Sequence, residues 1–213
     1  PKNQAAVLAE ENRQIMIDTI NLAKDLYQKE VGKGKNELIK NENPWNVPKV
    51  INYNLLFVEN KYEKSIIQPY FARKRDGNLN LFEGSDVEVS FIDFLEKSKE
   101  VEWWFKNGES DATYFAIPYV ENGAEKPFYV DFIFKLKNGQ VGLFDTKGGL
   151  TAQVAGPKAE GLQKYIKEQN KTGGKLFGGI VIKEKSSWRY NSKEKYIYNS
   201  DDLKNWEFLD LNK

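Results

Sequence analysis

The 213-residue chain contains no cysteine and no histidine. Without cysteine there are no disulfides, thiolate metal sites or cysteine nucleophiles, an absence that fits a reducing compartment. Without histidine, a Ser-His-Asp triad, His-ligated zinc hydrolysis and every mechanism with an imidazole base are excluded within the chain. Catalysis has to rest on carboxylates, lysine, tyrosine, serine or threonine. No apolar run approaches the roughly 20 residues of a membrane span. The opening PKNQAAVLAEENRQ lacks the basic-then-apolar layout of a secretion signal. The expected location is cytoplasmic, with no membrane partner. Charge of one sign is missing too: 32 basic against 31 acidic residues leave +1, so a nucleic-acid surface has to be local rather than global. The first residue is Pro rather than Met; the expectation is a piece of a longer protein, with a processed start as the alternative.

What is present is a globular composition with an aromatic-heavy core: 40% hydrophobic residues, including 13 Phe, 11 Tyr and 5 Trp, beside 30% charged ones. Residues 3–31 are expected to be helical, with Met16, Ile20, Ala23 and Tyr27 as a packing face and Gly32 as the stop. A Lys-rich polar stretch and a loop between Pro44 and Pro48 follow, then a strand in VINYNLLFVEN. Beyond the basic turn RKRDGN, the segment SDVEVSFIDFLEKSK reads as a helix from Ser85, with Val87, Phe91, Phe94 and Leu95 on one face. Strands are expected at 101–105, 112–120, 127–136 and 141–147. GPKAEGLQKYIKEQNKTGG then supplies a helix with Pro157 in its first turn, Leu162 and Ile166 on one face, and Gly173 as the stop. LFGGIVIKE is a further strand, with another hairpin over 188–198 and a short helix near Asp201. This order predicts an α/β fold, a mixed β-sheet built as a meander of strands and flanked by helices. The helical or irregular extension is residues 1–80, and the main domain is residues 81–213.

Asp131, Asp145 and Lys147 lie inside the apolar runs of FYVDFIFKLKNGQVGLFDTKGG, where an unpaired charge costs several kcal/mol. Asp145 and Lys147 share a strand face. A two-residue turn at Asn138-Gly139 sets Asp131 opposite Thr146 and puts the two carboxylates on opposite faces. A three-residue loop at Lys137–Gly139, with glycine left-handed, sets Asp131 across from Asp145 and gathers Val130, Phe132, Phe134 and Phe144 on the other face. Burial favours the second register. Two carboxylates side by side repel unless a cation joins them, and oxygen ligands without His or Cys favour Mg2+ or Mn2+. A lysine on the same face can orient water or meet charge developing on a phosphate. In outline this is a phosphodiester hydrolysis site.

YVDF with Asp131 and GLFDTKGG with Asp145 and Lys147, preceded by VEWWFKNG and YFAIPYV, resemble the PD-(D/E)XK nucleases. Within them, the chain is similar to the nuclease domain that follows the helicase motor in type III restriction enzymes and related helicase-nucleases. The resemblance covers about residues 85–184, with Val130 where the family name places Pro and Asp145 where these enzymes often carry Glu. It implies a restriction-endonuclease-like fold and Mg2+- or Mn2+-dependent cutting of DNA. Its implied partners are the helicase/ATPase part of the same longer chain and a modification subunit. It also implies a further acid from the preceding helix, for which Glu88 matches best and Glu102 second, and polar help toward DNA from the following helix through Lys158, Gln163 and Tyr165. Asp131 and Asp145, with Glu88, are then the metal ligands, and Lys147 positions or activates water.

Each feature has a structural alternative. Asp131 can be an edge-strand charge, and Asp145 with Lys147 a surface pair. Ser85 and Glu88 form an S-x-x-E capping box. Gly148 and Gly149 can simply end a strand. Trp103 and Trp104 are expected to be one core and one surface or interface aromatic, and Lys158, Lys164, Lys167 and Lys171 a solvated helix face. The rival functions are a non-catalytic nucleic-acid-binding module of the same fold and, on aromatic content alone, a carbohydrate-binding domain.

Overall fold

A computed structural model of the chain describes residues 44–49, 51, 57–60, 62–73, 86–108 and 113–211, with short helical pieces at 19–20, 22–23 and 26–27. The chain divides into two units, residues 1–40 with 120–126 and residues 41–119 with 127–213. In the first, the described pieces of the expected amino-terminal helix are helical, yet Ile20 and Tyr27 of its anticipated packing face are 61% and 70% exposed. Met16 and most of the 50–60 strand segment lie outside the described residues, as do Ser85 and most of RKRDGN.

In the second unit, the apolar spacing of VEVSFIDFL produces helix α1 (Asp86–Lys97), which buries Phe91, Ile92 and Leu95 on one side. The short strands β1 (Phe57–Asn60) and β2 (Tyr70–Arg73) pair with each other, as do β4 (Ile117–Glu121) and β5 (Ala124–Phe128). Among the described residues six further strands form one sheet: β3 (Val101–Lys106), β6 (Phe132–Leu136), β7 (Val141–Thr146), β8 (Leu176–Glu184), β9 (Ser187–Asn191) and β10 (Glu207–Phe208). Their order is β10-β9-β8-β7-β6-β3, and only β7 and β8 run parallel. Between those two the chain passes through α2 (Leu150–Gln153) and α3 (Gly156–Lys171), the crossover that a parallel pair requires. The expected mixed sheet flanked by helices is present.

Each face of the sheet has its own core. Phe91, Ile92 and Leu95 of α1 pack with Trp104, Phe132, Phe134, Phe144 and Val181. Leu162 and Ile166 of α3 pack with Phe105, Ile133 and Leu143 on the opposite face. Strand alternation assigns these sets, with one adjustment: Val101 and Trp104, three residues apart, reach the same core because a bulge shifts the register between Val101 and Trp103. Trp104 is fully buried and Trp103 partly so, each in a different core. Residues the sequence placed in the amino-terminal extension contribute as well: Tyr62 and Tyr70 pack on the α1 side and Trp45, Val47 and Ile51 on the α3 side.

Several expectations change, among them the strand expected at 112–120, which forms only from Ile117. The run 127–136 is two strands, because the chain bends at 129–131 between β5 and β6. The bend breaks side-chain alternation, so Val130 joins the α3-side core rather than the phenylalanines. Trp188 pairs back to Lys183 of β8 in place of a hairpin over 188–198, and residues 199–205 form turns rather than a short helix.

Candidate active site

The β6–β7 hairpin closes as the burial argument required. Phe132 faces Phe144, Ile133 faces Leu143, and Phe134 faces Gly142. The loop is Lys137–Gly139: Leu136 N donates to Gln140 O at 2.8 Å, and Gly139 takes φ 86°, a left-handed value that disfavours a side chain. This register brings Asp131 beside the end of β7, but in the bend preceding β6 rather than in the ladder. There Asp131 Oδ2 accepts hydrogen bonds from Thr146 N and Thr146 Oγ1, both at 2.7 Å.

A residue that sequence reasoning passed over fixes this bend. Asn107, buried just past β3, donates through Nδ2 to Phe115 O at 2.8 Å and Val130 O at 2.9 Å. Its Oδ1 accepts from Phe115 N at 3.1 Å, and its backbone N donates to Asp131 O at 2.9 Å. One amide side chain thereby satisfies three main-chain groups and aims Asp131 at β7. The only advance signal was a polar residue at the end of an aromatic strand.

Asp145 lies at 2% exposure. Lys147 Nζ approaches its Oδ2 to 2.5 Å and Thr146 O to 3.3 Å. The Asp145 contact is a close ion pair between a buried carboxylate and a partly buried ammonium. Burial first, and repulsion from Asp131 second, push the Asp145 carboxyl up to about 7, against a smaller opposing pull from Lys147 and Lys158. Desolvation depresses the Lys147 ammonium, but Asp145, Asp131 and Glu88 together hold it above its ordinary range, so it stays a cation at neutral pH. The four predicted residues therefore share one electrostatic cluster.

Glu88 reaches the cluster from α1, with its Oε1 2.8 Å from Lys106 Nζ, the last residue of β3. The same ammonium is 3.7 Å from Asp131 Oδ1 and lies over the Phe132 ring at 5.1 Å. Lys106 was not anticipated. Glu102, the second choice for the extra acid, pairs with Lys135 at 3.0 Å instead. Among the described residues no three acids stand close enough together to form a metal-binding group.

The residues assigned to DNA contact separate by burial. Lys158 is half-buried on α3, with its Nζ over the Phe128 ring at 5.3 Å, and its charge is felt at Asp145. Gln163 is buried and donates to Gly178 O at 2.9 Å, which ties α3 to β8. Tyr165 is half-buried, with its ring 5.8 Å from Phe115. Of the three, Gln163 is buried, whereas Lys158 and Tyr165 are each partly exposed. Lys167 on the same helix pairs with Glu194 at 2.5 Å.

Fold and site together define a mixed α/β protein with a partly buried carboxylate–lysine cluster where β3, β6 and β7 meet α1. The chain belongs to the YagJ family: that family's model matches residues 71–191, a span that includes Glu88, Lys106, Asp131, Asp145 and Lys147. Comparisons with curated proteins and with solved structures gave no match. Among the described residues no helix is long and apolar enough to cross a membrane.

Proposed function

We propose that the chain is the nuclease domain of a type III restriction-like helicase-nuclease, a metal-dependent endonuclease that hydrolyses phosphodiester bonds in DNA. The observation that carries this reading is the hairpin register, which sets a buried carboxylate beside a second carboxylate and pairs it with a lysine two residues on. The element order α1, β3, β6, β7, α3, β8, with β7 and β8 parallel, supports the restriction-endonuclease-like fold. Proposed partners are DNA, a helicase/ATPase part of the same longer chain and a modification subunit, in the cytoplasm.

The oxygens fit a hard divalent cation. Asp145 is buried with its Oδ2 turned to the Lys147 ammonium at 2.5 Å, and Thr146 O lies 3.3 Å from the same ammonium, so two oxygens already face one cation. Asp131, Asp145 and the Thr146 carbonyl would hold Mg2+ or Mn2+. Bound there, the ion supplies Lewis acidity to the phosphate and lowers the pKa of a water. Lys147 acts as a charge. Being protonated, it donates hydrogen bonds to the attacking water or the phosphate oxygens and cannot serve as the base. Thr146 N and Oγ1 keep Asp131 oriented, and Lys158 extends the positive surface toward the DNA backbone.

The non-catalytic nucleic-acid module is the second reading, favoured by the lack of a three-acid group among the described residues and by the lysine on each carboxylate. Melting curves with millimolar Mg2+ and Mn2+ separate the two. A metal ligand set predicts a rise in melting temperature that Asp131→Asn and Asp145→Asn both remove. An unchanged wild-type curve points to the module.

A further inference from the structure

Lys106 Nζ occupies a defined place: between Glu88 Oε1 at 2.8 Å and Asp131 Oδ1 at 3.7 Å, above the Phe132 ring, with the side chain 22% exposed. A cation shared by two carboxylates is where a second divalent ion of a two-metal phosphodiesterase would sit, neutralising the attacking or leaving oxygen. Here the position is filled by the chain itself. The backbone makes the placement durable, because Lys106 is the terminal residue of β3 and pairs in register with Phe132, immediately after Asp131. Glu88 is fixed on α1, one turn before the fully buried Phe91.

We infer that Lys106 is a resident substitute for a second metal, so that the site takes one divalent cation per chain, and that Glu88 is its positioning residue rather than a metal ligand. This rests on the nuclease reading above. Charge supports it. Glu88, Asp131 and Asp145 carry at most three negative charges against two positive ones on Lys106 and Lys147, a net of −1. One divalent ion turns this to +1, matched to a phosphodiester anion, whereas two ions beside both lysines bring it to +3, an unfavourable excess in a partly buried site.

The test is a count of bound Mn2+ on the 213-residue chain, by calorimetric titration and by electron paramagnetic resonance of free Mn2+. Wild type is expected to bind one ion. Lys106→Ala and Lys106→Gln vacate the position and should each bind two, while Lys106→Arg, which restores a cation, should return to one. Two ions on wild type overturn the inference, as does one ion on both neutral variants. No ion on wild type removes the metal reading itself and this inference with it. A neutral variant that fails to fold leaves the other to give the count, and Glu88→Gln should keep the single Mn2+ within a few-fold of wild-type affinity. A loss of that ion in Glu88→Gln identifies Glu88 as a ligand and overturns its positioning role.

Discussion

Asp145→Asn tests the electrostatics of the site without destroying its shape. The Asp145 carboxyl titrates at about 7 when folded, against its ordinary 3.8. Between those values the folded chain holds a proton that the unfolded chain has lost. Stability therefore falls as pH rises through the window from about 4 to about 7, and the loss is complete above it. At about 1.4 kcal/mol per pH unit, the gap is worth about 4 kcal/mol. Asparagine keeps the size and cannot ionise, so the variant escapes this loss. Its stability relative to wild type should climb by about 4 kcal/mol between pH 4 and pH 8. Any constant cost of leaving Lys147 unpaired shifts the whole difference without changing its slope. The assay is urea unfolding of both proteins at unit pH steps in chelator, reading the midpoint and slope at each. A difference flat to within about 1 kcal/mol would refute the burial and repulsion assigned to Asp145. Repeating the series in Mn2+ should flatten the wild-type loss, since the ion replaces the proton, and leave Asp145→Asn unaffected.

Asn107→Ala removes the clamp on the 129–131 bend and strands buried main-chain groups of Phe115 and Val130. A loss of about 1–3 kcal/mol is expected in denaturant unfolding, with weakened Mn2+ binding because Asp131 is no longer held. Gln163→Ala should lower stability by about 1–2 kcal/mol through the unpaired Gly178 carbonyl, whereas Lys158→Ala should weaken DNA retention in gel-shift titrations while reducing its salt dependence. A Cβ added at Gly178 would overlap the carbonyl oxygen of Leu143 across the β7–β8 pair. Gly178→Ala should therefore cost about 1–3 kcal/mol in thermal or urea unfolding, and a neutral result would argue against that close approach.

The legible parts were those set by periodicity and local turn chemistry. α1 and α3 followed from apolar spacing, and the hairpin register followed from asking which loop kept the phenylalanines of β6 and β7 off the face of Asp145. The break at 129–131 was hidden because FYVDFIF reads as one apolar run, and only Asn107, more than 20 residues earlier, dictates the bend. Lys106 was hidden for a related reason. It reads as an ordinary polar strand end, and its meaning depends on Glu88 and Asp131 arriving from two other elements. The burial of Gln163 was foreshadowed by its neighbours Leu162 and Ile166, which marked that side of α3 as the core.

The most direct test of the nuclease reading compares Lys147→Ala with wild type in two measurements made together, single-turnover cleavage of plasmid DNA in Mn2+ and calorimetric Mn2+ binding. Lys147 is assigned to the water or the phosphate and the carboxylates to the ion, so the two readouts should separate. The account predicts cutting by wild type, a loss of at least about 100-fold in Lys147→Ala, and Mn2+ affinity within a few-fold of wild type. Cleavage by Lys147→Ala at the wild-type rate would contradict it.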